Sequence, residues 1–129
     1  MQDIVLLRRI IGVILLIVIG LIHLIIVKAG FHLQAYLGIL FVIDVIAAFG
    51  GAVWIGLFDA RLGWSLGLLA SLGPLLGYIV TRTMALPGLL MLPWNTPNGL
   101  LSLVLEAIIV ILALSALGQR STTKAATTR

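Results

Sequence analysis

The sequence predicts an all-α membrane protein, a four-transmembrane-helix bundle running up-down-up-down with both termini cytoplasmic. Three observations carry this. Hydrophobic residues make up 62% of the 129-residue chain and charged residues only 9%, against about 25% charged in an ordinary soluble domain. The apolar residues gather into four long runs. The basic residues punctuate those runs and form no patch of their own. A chain with so little charge cannot cover itself for water, so lipid is its expected solvent.

The runs cover residues 10–27, 35–57, 62–80 and 100–117. Each approaches the roughly 20 residues that cross about 30 Å of hydrocarbon. All four are expected to be helices, since a helix satisfies its own backbone where there is no water. Residues 1–117 then form one transmembrane domain. No repeat links its halves.

The first run follows Arg8-Arg9, as the apolar part of a signal peptide would. It is long, however, and no Ala-x-Ala site follows, so a retained helix is expected. The second run holds Asp44 with no other polar side chain between Gly38 and Gly51. An aspartate in hydrocarbon costs roughly 2.5–3.5 kcal/mol on insertion scales. The turn Leu57-Phe58-Asp59-Ala60-Arg61 is short, so helices 2 and 3 should form a hairpin, with Asp59 as N-cap of helix 3. Helix 3 has small residues spaced by four, Gly63, Gly67 and Ser71, then Gly73, Gly77 and Thr81. That spacing lets backbones approach closely and predicts that helix 3 is the most protein-covered. Pro74 should kink it and free a carbonyl one turn back.

Residues 82–99 form the longest connection, with three prolines and little charge. Its Leu and Met side chains should lie in the outer interface or fold back over the helix ends, with Trp94 as anchor. Met84 and Met91 are possible Cu(I) ligands by chemistry, but an apolar interfacial role is preferred. Thr96-Pro97 reads as N-cap and first residue of helix 4. The polar, basic tail 118–129 is expected to be disordered and cytoplasmic.

Charge sets the orientation. With the N-terminus inside, Arg8, Arg9, Arg61, Arg120, Lys124 and Arg129 lie on the inner side, and Lys28 and Arg82 on the outer. Six against two favours both termini inside. Trp54 and Trp64 would then lie toward the inner interface, and Phe31, Tyr36 and Trp94 toward the outer one. The basic residues define a topology and leave no soluble face for nucleic acid. The chain has no cysteine, which excludes disulfides, thiolate metal sites and membrane thiol oxidoreductases of the quinone-linked kind.

Depth counting groups the intramembrane ionisable residues. His23 falls about 7 Å below the outer surface, Glu106 about 10 Å and Asp44 about 14 Å, with Arg82 at the rim. None falls in the inner half. Helical phase places Ser102, Glu106 and Ala113 on one stripe of helix 4, and Asp44 with Ala47, Ala48 and Gly51 on one side of helix 2. The expectation is an outward-facing polar pocket walled by His23, Asp44, Tyr78, Arg82 and Glu106. Asp44 in such a place is either ionised beside Arg82 or protonated and donating to a carbonyl.

Three readings of the pocket compete. In the first, Arg82 pairs with Glu106 or Asp44 and fixes helix docking. In the second, the carboxyl groups and His23 bind a cation, a proton or a small polar solute. In the third, the cluster meets a partner subunit, a lipid headgroup or a redox cofactor such as a quinone. Bis-His haem ligation is disfavoured, because His32 is placed in the outer loop nine residues from His23. Those two histidines with one carboxylate are weak metal candidates.

The segments GLIHL in helix 1, YLGILF opening helix 2, GPLLGYIVTRTMALPG closing helix 3 and W..P.GLLSLVLEA entering helix 4 carry a resemblance. They resemble an uncharacterised family of small bacterial four-helix integral membrane proteins, a domain of unknown function in actinobacterial and Chloroflexi-like genomes. The most specific residues are Gly77, Tyr78, Arg82, Leu86, Pro87, Gly88, Trp94 and Glu106. The resemblance covers about residues 10–117 and implies a natural module with a recurrent outer-side motif, without an activity. Small multidrug exporters are of similar size but depend on a glutamate in helix 1, where this chain has no carboxylate.

The expected function is that of a non-enzymatic accessory or structural subunit of a membrane complex, as a homo-oligomer or with other membrane subunits, in a bacterial cytoplasmic membrane. No cofactor is expected. A proton, cation or small-solute transporter is the alternative, and a subunit binding quinone, haem or metal the third class.

Overall fold

The computed structural model describes residues 1–127, apart from the side chains of residues 120–125. It is all-helical, with α1 (Gln2–Leu33), α2 (Ala35–Phe58), α3 (Arg61–Thr83) and α4 (Pro97–Thr127). All four are long and apolar enough to cross a membrane, α4 through its portion Pro97–Gln119.

The helices are longer than the apolar runs. α1 reaches Leu33, so His32 stands in its last turn and not in a loop. The break to α2 is a single residue. Gln34 is extended, at φ −158° and ψ 141°. Its N–H closes α1 on the Gly30 carbonyl at 2.9 Å, and its own carbonyl accepts from Leu37 N–H at 3.0 Å to open α2. Polar residues sustain a helix as well as apolar ones do, so hydropathy alone stops short. The same reason carries α4 past Leu117: the tail expected to be disordered is helical to Thr127, and its last two residues lie outside the described residues.

Asp59 is not the N-cap of α3. It is the C-cap of α2, in the left-handed conformation at φ 44° and ψ 38°, and Ala60 precedes α3 with no side-chain cap. Aspartate tolerates that conformation better than most residues, and its N–H closes α2 on the Ile55 carbonyl at 3.0 Å. Its carboxylate accepts a 2.9 Å hydrogen bond from Trp64 Nε1. Trp64 is fully buried, in the first turn of α3. Its ring lies against Gly12 of α1, where an added Cβ would come within 2.7 Å of it.

At the seam between α2 and α3 the two backbones come close. A Cβ on Gly63 would stand 2.7 Å from the Ile55 nitrogen, and one on Gly51 would stand 3.1 Å from the Gly67 nitrogen. Leu16 of α1 and Ile109 of α4 reach the same level, against Gly67. Along α1 and α2 the contacts run in opposite numerical order, Gly20 against Phe49 and Gly30 against Phe41. Each helix packs on its neighbours in sequence, α4 closes back on α1, and α2 and α4 make no close backbone approach.

The helix most covered by protein is α2, not α3: 39% of its apolar window is buried against 33%. The reason is the second small-residue stripe of α3. Gly63, Gly67 and Ser71 face inward, but Gly73 and Gly77 are exposed, and a Cβ on either would meet nothing within 4 Å.

The two stripes should respond oppositely to substitution. Gly63→Val forces side-chain bulk into the Ile55 backbone and should lower stability by about 1–3 kcal/mol. Gly77→Ala removes a helix-interior glycine in open space and should be neutral or stabilising by up to about 1 kcal/mol. Unfolding in mild detergent followed by tryptophan fluorescence checks both. Equal midpoints for the two variants would contradict the packing described.

Candidate functional site

Three of the five expected site residues meet inside the bundle. His23 on α1, Asp44 on α2 and Glu106 on α4 are 3%, 6% and 2% exposed. They sit at one level, because the longer helices change the depths. Counted from the described helix ends, His23 is ten residues before Leu33, Asp44 nine after Ala35 and Glu106 nine after Pro97. Each is thus about 14–15 Å from its end.

His23 stands between the two carboxyl groups. Its Nδ1 is 3.1 Å from Asp44 Oδ2, and its Nε2 is 3.7 Å from Glu106 Oε1. Nδ1 is also 3.0 Å from the Ile19 carbonyl one turn back. Its single hydrogen serves Ile19, and Asp44 Oδ2 is left with no hydrogen-bond partner despite its closeness. With the hydrogen on Nδ1, the tautomer that satisfies Ile19 presents the Nε2 lone pair to Glu106. Ser102, one turn before Glu106, donates its hydroxyl to Oε1. Phe41 packs edge-on to the imidazole, with centroids 5.6 Å apart.

The third wall is α3, which brings Ser71. Gly67 faces Leu16 and Ile109, so Ser71, one turn on, shares a level with Gly20 and Glu106. Its hydroxyl is fully buried and has no hydrogen-bond partner. Beside it, Pro74 supplies no N–H for the carbonyl of Ala70, and Ala70 is buried.

Arg82 and Tyr78 are elsewhere. Arg82 makes no ion pair with either carboxylate; it is bound to the connection between α3 and α4. Its Nε donates to Pro93 O at 3.2 Å, Nη1 to Thr81 Oγ1 at 2.8 Å and Nη2 to Thr96 Oγ1 at 3.2 Å. The guanidinium lies 3.6 Å over the Tyr78 ring, and the Tyr78 hydroxyl donates to Trp94 O. From the other side Gln34 donates to Gly88 O, and Tyr36 donates to Pro87 O at 3.1 Å. Gly88 is there because φ is +70°. The connection is folded back over the helix ends, as its apolar composition suggested.

Two arrangements of metal or haem are disfavoured by the geometry. Asp44 lies on the Nδ1 edge of the imidazole and Glu106 on the Nε2 edge, so no single point receives a ring nitrogen and both carboxylates. His32 is exposed and nine residues from His23 on one helix, which at about 100° per residue puts the two on opposite sides. Among the described residues no group of three or more His, Cys, Asp or Glu is arranged to hold a metal ion.

Sequence depth found the trio but not its geometry. The roles of Ile19 O and Ser71 were missed, although Ser71 continues the Gly63–Gly67 stripe and was the one hydroxyl on it. Arg9 was read only as a topology signal. It donates to the last carbonyls of α2, Ile55 O at 2.9 Å and Gly56 O at 2.6 Å, where the helix dipole favours a cation. Comparison with family models, with characterised proteins and with solved structures finds no match to this chain.

The Arg82 contacts pin the outer connection and not the buried trio. Arg82→Ala should therefore raise the rate of proteolytic cleavage between Met84 and Asn95 several-fold while leaving the helical circular dichroism unchanged. Arg82→Lys should restore little, because the stacked, forked geometry belongs to guanidinium. An unaltered cleavage rate in the alanine variant would contradict this.

Proposed function

We propose that this chain is a small integral membrane protein of a bacterial cytoplasmic membrane, crossing it up-down-up-down with both termini inside. In this reading it is a non-enzymatic accessory or structural subunit, assembled as a homo-oligomer or with other membrane subunits. The observation that carries it is the way the polar groups at depth are used. His23, Asp44 and Glu106 are turned toward one another across α1, α2 and α4, and the large side chains on the outward faces of the helices are mostly Leu, Ile and Val. Interhelical polar contacts of this kind contribute about 0.6 kcal/mol each in lipid and fix which helix faces meet.

The basic residues support the orientation, and the resemblance to bacterial four-helix proteins supports the setting. The exposed Gly73–Gly77 face of α3 supports assembly, since a backbone without side chains offers close approach to another helix. A conducting role is less well supported. Between the trio and Arg9 the core is Leu16, Ile55, Trp64, Ile109, Ala113 and Ala116, which gives an ion no polar continuation.

The natural absence of cysteine makes the test direct. Asn95→Cys in intact cells should react with a membrane-impermeant maleimide, and Gln2→Cys only after lysis. Native extraction should give a particle larger than one chain. Labelling of both variants before lysis would overturn the topology, and a lone monomer free of partners would overturn the subunit role.

A further inference from the structure

We infer that the trio is a proton-binding site, in which one exchangeable proton is held in the gap between His23 Nε2 and Glu106 Oε1. This rests on the chain being a membrane bundle but not on its having partners.

A purely structural tie would be completed by its hydrogen bonds, and this one is not. Asp44 Oδ2 is buried without a hydrogen bond, and the 3.7 Å gap between Nε2 and Oε1 is too long for one. An acceptor nitrogen there faces an acceptor carboxylate. A single added proton changes both relations. On Nε2 it makes an imidazolium, whose Nε2–H points at Glu106 while its Nδ1–H and ring charge face Asp44. On Glu106 it makes a hydroxyl that donates to Nε2. In either case one N–H or O–H bond forms, an O–H bond of a hydronium ion breaks to leave water, and the net charge of the trio rises by one.

The surroundings make the trio the only holder of that charge. α1 contributes His23, α2 Asp44 and α4 Glu106, with the Ser102 hydroxyl donating to it. α3 faces the level with Ser71, which does not titrate, and its Arg82 and Tyr78 are engaged by the outer connection. Arg9, the next cation toward the inner end, is bound to α2 carbonyls. Because the core between the trio and Arg9 is apolar, a proton that enters from the outer end leaves the same way. The site binds protons without passing them across. Ser71 Oγ on α3 is buried with no hydrogen-bond partner, and Pro74 supplies no N–H for the Ala70 carbonyl.

The experiment is nitrogen NMR of histidine-labelled protein in lipid nanodiscs from about pH 4 to about pH 9. There are two histidines, and exposed His32 is the internal control. The expected result is a reversible one-proton change at His23 Nε2 with Nδ1 remaining protonated, distinct in midpoint from that of His32. In Glu106→Gln that change should disappear or move by at least about one pH unit. Should Glu106→Gln not fold, Ser102→Ala is the gentler probe, since it removes the hydroxyl on Oε1 and should displace the midpoint. A His23 signal constant across the range overturns the inference. So does a His23 titration unchanged in a folded Glu106→Gln. Neither result bears on the maleimide labelling or the particle size, so the subunit reading stands or falls separately.

Discussion

Leucine and isoleucine point outward along every helix of this chain, and in hydrocarbon such residues gain nothing by turning inward. Shape and polar contact have to hold the bundle together. Shape acts at the α2–α3 seam, where Gly51, Gly63 and Gly67 let the two backbones approach to a distance any side chain would prevent. The other helices are placed by reference to that seam. Leu16 and Ile109 come from α1 and α4 to the face of Gly67, and Trp64, next to Gly63, reaches across to Gly12. Dispersion contacts are small one by one, and their sum along a close seam is what lipid cannot match.

Polar contact acts above and below it. The two helices with no close backbone approach, α2 and α4, are joined through the imidazole of His23. At the other end Arg9 ties α1 to the carbonyl end of α2, and Asp59 ties the α2–α3 turn to Trp64. Each of these ties carries its side chain to a group on a different helix or turn. Together they specify which helix lies beside which, a choice the uniform apolar faces leave open.

The four helices were legible from length and apolar content, because a membrane-length run has few other ways to satisfy its backbone. Their ends were not. Gln34 and Asp59 end helices through backbone conformation, which composition does not record. The inward faces of α2 and α4 followed from helical phase, and the association of Asp44, His23 and Glu106 from counting depth along the helices. Arg82 was misplaced for a physical reason. Asp44 and Glu106 lie about 14 Å from the helix ends, too deep for an arginine at the end of α3, whereas the carbonyl of Pro93, the Thr96 hydroxyl and the face of Tyr78 offer it several partners at once. That Trp64 turns inward was not legible either: it has a glycine of α1 to lie on and a carboxylate for its N–H.

Gln34 is the single residue between α1 and α2, and its amide is held by the carbonyl of Gly88, 54 positions later. A ribosome delivers the α1–α2 turn long before it delivers its cover. Through the synthesis of the whole of α3 that turn stays open to solvent, with water on the amide that Gly88 later binds. The cap cannot close before Gly88 is made: a chain truncated before Gly88 can build three helices yet cannot seal the end of the first two.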